Sequence, residues 1–465
     1  MTKLPSIARA FAPAALITIA TPALAQDAPA AATFDTERMI EVIETEVDTG
    51  KFMGAVLVAQ GEEPLIDQAW GSADLEWDIA NTTDTKFRIG SVTKQFTSVS
   101  ILLLSERGQL DLEAPIATYL EDTPEAWNAI TVRNLMRHTS GIPNVTTLET
   151  FAEKKYLPLS QDDLIALFED LPLEFEPGSQ FSYSNSGYVL LSRIVENVSG
   201  LPLADFYRAN IFDPLGMEAT GIDVSAQILP RRADGYSPAG DDVNVINAPY
   251  ADMGIPTGAG ALYSTTGDLL KWQRGLFGGK VLGEESLAQY LTPGPYEAFA
   301  GDPYAHAVLI DRTGDDRYYW HGGGIEGFNA WLGYDPDRKV TVAVLANLNG
   351  GAASKIGEQL MTLAQGRDVI LPADRVAIEI APEALAQYVG VYALAPDFKI
   401  TVSLEGDRLM TQATGQGPAQ IFPEGDDRFF LTVIDAQLRF ERDAAGEITG
   451  ATLFQNGREF SATSE

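Results

Sequence analysis

The sequence predicts an α/β chain in which an antiparallel sheet flanked by helices receives strands from both ends of its domain, with a helical subdomain between them and a small antiparallel β-barrel at the C-terminus. Three observations carry this reading. Short strand-like runs at 54–60 and 65–71 precede a mostly helical block, and strand periodicity returns only from about Tyr304. The last 80 or so residues alternate apolar and polar positions between Gly- and Asp-rich turns. At 465 residues and 45% hydrophobic composition, the chain is long enough for two domains, each with its own core.

The first 25 residues stand apart. Lys3 and Arg9 give a positive start, Ala10 to Ala20 is apolar, and Ala23-Leu24-Ala25 is a small-residue cleavage signal. This pattern reads as a secretory signal peptide cut after Ala25, giving a periplasmic or secreted protein. Residues 26–35 form an Ala-rich leader, and a helical pattern runs from about Asp35 to Val47. Gly61-Glu62-Glu63-Pro64 separates the first two strands as a hairpin would. Residues 94–107 then read as a helix, with Val99, Leu102 and Leu103 on one face and Gly108 as its stop.

Helix starts follow at Thr131, at Ser160 with Asp163 three residues on as a capping box, at Ser186 and at Thr266. Strands are expected at 304–311, 316–320, 328–334 and 339–346, and a helix from about Ala352 to Gln365. These assign residues 36–365 to the first domain. Pro372 and Pro382 mark a linker over 366–382, and residues 383–465 form the barrel, with strand-like runs at 388–394, 398–404, 408–413, 428–433, 436–441 and 448–454 and a last turn at Asn456-Gly457. With no catalytic motif of its own, the barrel is expected to gate the site rather than to perform chemistry.

Charge and composition exclude several functions. A formal charge of −33 repels nucleic acid and anionic membrane surfaces. The later apolar runs are too short or too interrupted to span a bilayer, and with no Cys there is neither a disulfide framework nor a lipid-anchoring thiol, so no membrane anchor is expected. The three His residues (138, 306 and 321) lack metal-ligand spacing, no G-x-S-x-G elbow occurs, and neither metal nor cofactor is expected.

Chemistry is concentrated in three segments. In Gly90-Ser91-Val92-Thr93-Lys94 a Ser and a Lys stand one helical turn apart where a helix begins. A desolvated Lys94 amine could take the Ser91 proton, and the helix N-terminus offers N–H groups to an oxyanion. Alone, such a pair reads equally as a helix cap with a solvated Lys. Tyr183-Ser184-Asn185 sets a Tyr and an Asn two residues apart before a helix, where Tyr183 could act as general base or acid, or simply pack. Tyr319-Trp320-His321-Gly322-Gly323-Gly324 places a His at a strand end followed by glycines, which admit a ligand close to the backbone or merely make a turn.

Taken together, in this order and at these separations, the three segments resemble the serine penicillin-recognising superfamily: class C β-lactamases, D-alanyl-D-alanine carboxypeptidases, D-aminopeptidases and related esterases. Leu135 to Ile142 and Gly260 to Asp268 look like the same group. The resemblance implies a β-lactamase/transpeptidase-like fold over about residues 36–365 and a lipocalin-like barrel after it. It implies Ser91 as the acylated nucleophile and proton transfer shared by Lys94 and Tyr183. It further implies substrate binding by Asn185, His321, Gly322 and Gly323, and an oxyanion hole from the N–H groups of Ser91 and Gly324. His138 and Asp268 read as structural.

The third motif departs from the usual Lys-Thr-Gly, since His-Gly-Gly supplies neither the hydroxyl nor the permanent cation that hold a substrate carboxylate. Only under mildly acidic conditions would an ordinary His321 carry charge. The expected activity is therefore exported serine hydrolysis of an amide or ester through an acyl-enzyme, on a D-amino-acid-containing peptide or small ester in the manner of the D-aminopeptidase-like subgroup. β-Lactamase or D-alanyl-D-alanine carboxypeptidase activity is the enzymatic alternative, and an acylated penicillin sensor the non-enzymatic one. The sequence implies a small-molecule or peptide partner and leaves the oligomeric state open.

Overall fold

The computed structural model describes Thr2 and residues 34–465, apart from 241–243, 313–315, 396–397, 426, 433 and 456–457. The expected signal peptide, the leader before residue 34 and the Asn456-Gly457 turn lie outside the described residues.

After helix α1 (Thr36–Asp48), strands β1 (Gly54–Gln60) and β2 (Glu63–Trp70) form the expected hairpin, with Pro64 inside β2 rather than in the turn. It is tolerated there because β2 is an edge strand and the pairing shifts register between Val58 and Ala59, opposite Ile66 and Pro64. The main helices that follow are α2 (Thr93–Glu106), α3 (Asn185–Ser199), α4 (Thr257–Gly260) and α5 (Thr266–Phe277). The chain then returns as β3 (Leu309–Asp311), β4 (Tyr318–Ile325), β5 (Phe328–Asp335) and β6 (Val340–Ala346), closed by α6 (Ala352–Ala364).

The sheet runs β3-β4-β5-β6-β1-β2, all antiparallel, so its two chain ends meet where β1 pairs with β6 from Gly54↔Ala346 to Gln60↔Val340. Apart from Gln60 and Thr341 both strands are apolar, and they are buried over almost their whole length, as central strands covered on both faces must be. Expected and observed strands differ at two places. Residues 304–308 do not join the sheet, because Ala307 turns the chain with φ 70° and buries Tyr304 and His306 instead. Strand β4 continues past residue 320 through the glycines, which pair with β5 as far as Ile325↔Phe328.

Helix α2 is the centre of the domain. Every residue from Thr93 to Leu104 is buried, so the one-sided face expected from Val99, Leu102 and Leu103 is in fact a helix enclosed all round. Its polar side chains survive burial because each has a partner. Gln95 accepts from the Trp272 indole at 2.8 Å, Thr97 donates to the Gly258 carbonyl at 2.6 Å, and Ser98 meets the Tyr188 hydroxyl at 3.0 Å. Phe96 stacks on Trp272 with ring centroids 4.1 Å apart.

Residues 366–382 are tied down along their length. Arg38 donates to the Val369 carbonyl, Leu371 is buried, and the Ile378 N–H donates to Pro423. The C-terminal strands β7 (Gly390–Ala395), β8 (Phe398–Glu405), β9 (Arg408–Ala413), β10 (Ala419–Gly425), β11 (Arg428–Leu431), β12 (Ala436–Arg442), β13 (Ile448–Gln455) and β14 (Arg458–Ser464) close into a barrel through β7 and β14. Two of these eight, β10 and β14, do not stand out in sequence: one contains Pro423 and a broken register, the other is largely polar. Tyr392, Ile400, Val402, Leu409, Phe429 and Phe440 fill the interior. Lys355 on α6 bridges Glu46 on α1 at 2.9 Å and Asp435 of the barrel at 2.7 Å.

Candidate active site

Ile89 leads into a 3-10 turn, Gly90–Val92, that feeds directly into α2. Gly90 holds φ 49°, a left-handed conformation, and a Cβ there would sit 2.7 Å from the Gly324 nitrogen. On the facing strand, a Cβ on Gly323 would fall 2.0 Å from the Ile89 carbonyl oxygen. The two glycines therefore let β4 press against the turn that carries Ser91. Since β3 pairs only with residues 318–320, the edge of β4 beyond them faces this turn rather than another strand. Glycine here serves close backbone approach, and the Gly323-Gly324 edge lies beside the Ser91 nitrogen, 3.2 Å from where a Gly323 Cβ would be.

One turn into the helix, the Lys94 amine is fully buried and lies 3.1 Å from Ser91 Oγ, 2.8 Å from Asn185 Oδ1 and 2.8 Å from the Ala259 carbonyl oxygen. Burial holds its pKa well below the usual ammonium range, and no carboxylate is among these partners. Two of the three neighbours can only accept. A neutral amine meets all three, donating to Asn185 and Ala259 while its lone pair receives the Ser91 proton. The Asn185 amide is oriented for this by its Nδ2, which donates to Asn144 Oδ1 at 3.4 Å and to Thr146 Oγ1 at 3.1 Å.

Tyr183 enters from the segment before α3. The residue is half-buried, its hydroxyl is hydrogen-bonded with Ser91, its ring lies beneath Lys94 with the amine 4.8 Å from the centroid, and burial pushes the phenol pKa up. Tyr183 and Asn185 from one segment, Lys94 from the helix that Ser91 leads into, and Gly324 from β4 thus gather around Ser91 from three segments of the chain. The His138 ring packs against that of Tyr183, tilted by 37° with ring centroids 4.2 Å apart.

His321 is placed differently from expectation. Its ring is 3% exposed and turned to the Tyr304 hydroxyl at 3.1 Å, not to the cavity. Burial, then the nearby Lys94, lower its pKa to about 4, so it is neutral where an ordinary imidazole would begin to charge. A carboxylate anchor at His321 is therefore corrected to a buried hydrogen-bonding residue. Gly322 and Gly323 likewise do not line the cavity, and of this strand Gly324, Ile325 and Glu326 do.

The cavity beside Ser91 measures about 270 Å³. Val145, Phe151, Leu164, Val189 and Ile255 make an apolar wall, and Lys155 and Glu326 form an ion pair at 2.8 Å within its lining. Every lining residue comes from the stretch 91–326, so the barrel contributes none of the cavity wall. Sequence reading missed Asn144, Thr146 and the Ala259 carbonyl, whose only local signal is the Pro-Thr-Gly-Ala-Gly run that forms α4.

Residues 39–365 match the family model described as Beta-lactamase, and residues 374–464 match one described as a domain of unknown function, DUF3471. Penicillin-binding protein 4* of Bacillus subtilis (strain 168) is 29% identical over 442 residues, which span 90% of this chain and 96% of that protein. The octameric penicillin-binding protein homologue from Pyrococcus abyssi shares the fold with a TM-score of 0.67 at 24% identity, over 92% of this chain and all of that one. The D-amino acid amidase from Ochrobactrum anthropi SV3, in complex with D-phenylalanine, superposes with a TM-score of 0.62 at 26% identity, over 71% of this chain and 99% of its own.

Proposed function

The chain belongs to the β-lactamase family and is a serine hydrolase of the β-lactamase and penicillin-binding-protein group, and from that premise we propose that it cleaves an amide or ester through an acyl-enzyme on Ser91, its substrates being D-amino-acid amides or peptides and small esters. The observation that carries this reading is the Lys94 amine, with both N–H groups committed to carbonyl oxygens and its remaining neighbour the Ser91 hydroxyl.

Lys94 takes the Ser91 proton as Oγ attacks the substrate carbonyl. The oxyanion forms between the N–H groups of Ser91 and Gly324, which the close approach of β4 holds in place before substrate arrives. Tyr183, kept protonated by burial, gives its proton to the leaving nitrogen or oxygen and regains one at the expense of the Lys94 ammonium. Water then repeats the sequence on the ester, with Lys94 and Tyr183 accepting its proton and returning it to Ser91. The free acid and the amine or alcohol leave, and the enzyme is unchanged.

Two features favour this substrate class over β-lactams and D-alanyl-D-alanine peptides, which bring a carboxylate. Lys155, the cation lining the cavity, is already paired with Glu326, and His321 is neutral and turned away. The apolar wall suits a hydrophobic side chain on the acyl group. We further propose that the chain is exported and cut after Ala25, supported by the charged, apolar and Ala-x-Ala order of its first residues. N-terminal sequencing of protein recovered outside the cytoplasm tests this.

Steady turnover of D-phenylalanine p-nitroanilide or p-nitrophenyl acetate, lost in Ser91→Ala, tests the hydrolase reading. A single burst equivalent without turnover on every ester and amide tried would make the protein an acylated binder instead.

A further inference from the structure

Beneath the site a single hydroxyl stands between two imidazoles. His138 Nδ1 accepts from the Ser184 N–H at 3.2 Å, so the proton of a neutral His138 sits on Nε2, 3.2 Å from the Tyr304 oxygen. His321 Nδ1 faces the Gly322 carbonyl at 2.6 Å, and that oxygen can only accept. His321 therefore carries its proton on Nδ1, leaving Nε2 bare 3.1 Å from the same Tyr304 oxygen. One ring needs an acceptor there and the other a donor. A hydroxyl supplies both at once. The Tyr188 hydroxyl also reaches Tyr304, but its own proton goes to the Met136 carbonyl at 2.9 Å.

The two ends of this chain of bonds are the two halves of the site. Ser184 lies between Tyr183 and Asn185, and the His138 ring packs against that of Tyr183. Gly322 immediately precedes the Gly323-Gly324 edge that presses on the Ser91 turn. The Lys94 amine from α2, when protonated, and the opposite imidazole are the groups whose charge bears on these rings, and the phenols of Tyr183, Tyr188 and Tyr304 surround them. All three members of the relay are buried.

We propose that Tyr304 is a positioning residue that ties the Tyr183–Asn185 loop to the oxyanion strand through His138 and His321, holding the two imidazoles in complementary neutral tautomers. The proposal rests on the reading of Ser91 as the nucleophile, yet the tautomers can be measured without any turnover.

The chain has three histidines, so histidine-selective 15N labelling of the full-length protein gives a spectrum assignable with His306→Gln. At pH 7 the expected result is a protonated Nε2 on His138 and a protonated Nδ1 on His321. The same tautomer on both rings, or a cationic ring at either, overturns the relay. Tyr304→Phe keeps the ring and removes the oxygen. It should lower kcat for a neutral ester about 10- to 100-fold with KM held within about twofold, since the phenol does not touch substrate. Losing its donor, His321 should also protonate more readily, so the acid limb of kcat should move up by about one pH unit. A folded Tyr304→Phe with unchanged kcat, or one with reduced kcat but an unmoved limb and unshifted His321 signals, returns Tyr304 to packing. Should that variant not fold, the wild-type tautomers decide. Fluorophosphonate labelling separates the two readings: an adduct on Ser91 with the wrong tautomers overturns the relay alone, and the expected tautomers without an adduct overturn the nucleophile alone.

Discussion

The α-carbon of Gly323 faces the carbonyl of Ile89 so closely that a methyl group on it would lie 2.0 Å from the oxygen. Gly323→Ala must therefore push β4 away from the turn that holds Ser91 and spread the N–H groups of Ser91 and Gly324, the proposed oxyanion hole. A loss of about 100-fold or more in kcat on a neutral ester is expected, the scale of removing one oxyanion donor. Gly322→Ala should cost far less, because its Cβ would have no neighbour nearer than 3.8 Å. Equal kcat values for the two variants would contradict this account of the glycines.

Tyr183→Phe deletes one hydroxyl and little volume. With the ring still between Lys94 and His138, the melting temperature should stay within about 2 °C of wild type while turnover falls about 100-fold or more. Thermal unfolding and steady-state kinetics on one preparation check both halves. Full turnover with a lowered melting temperature would leave Tyr183 a packing role only.

Acid should weaken the fold through His321. Its folded pKa of about 4 lies below the ordinary 6.5, so the unfolded chain binds the proton first as pH falls. The stability due to the neutral ring is complete above about pH 6.5 and is lost between there and pH 4, on the order of 3 kcal/mol in all. Asp67, Asp234 and Glu358, whose carboxyls are raised by burial, act in the opposite sense, so the comparison needed is with His321→Gln. Denaturant unfolding at several pH values should show a flatter acid slope in the variant; parallel slopes would disprove it. For the same reason KM for a carboxylate-bearing substrate should not rise between pH 5.5 and 8, as it would if His321 were an ordinary, accessible imidazole.

Lys355→Met should loosen the barrel without touching the chemistry. The change leaves Glu46, 5% exposed, without its ammonium and unties Asp435, at a cost of about 2 kcal/mol. Because the cavity is lined wholly from residues 91–326, kcat should hold. Intact stability with reduced kcat would mean that barrel docking shapes the site.

The parts of this site legible in the sequence are those fixed by local geometry. Ser91 and Lys94 meet because three residues make one helical turn, Ser160 and Asp163 form their capping box, and Gly200 ends α3 in the left-handed conformation its identity suggests. What stayed hidden depends on burial and on partners far along the chain. His321 looked like a titrating anchor because nothing local reveals that it is enclosed. Tyr304 sits in a run that alternates like a strand, and only the turn at Ala307 takes it out of the sheet and under the site. Asn144 meets Asn185 from 41 residues away and Ala259 meets Lys94 from 165, separations at which no spacing rule operates.

Helix α2 shows no face to solvent from Thr93 to Leu104. Its amide hydrogens are expected to exchange with water only when the surrounding domain opens as a whole, so the segment that carries Lys94 should be among the last to lose protection. Many enzymes mount their reacting groups on loops that breathe independently of the core. Here the proposed reacting pair is fastened to a fully enclosed helix, and heat or denaturant is expected to end Ser91 acylation and global structure in the same transition rather than one after the other.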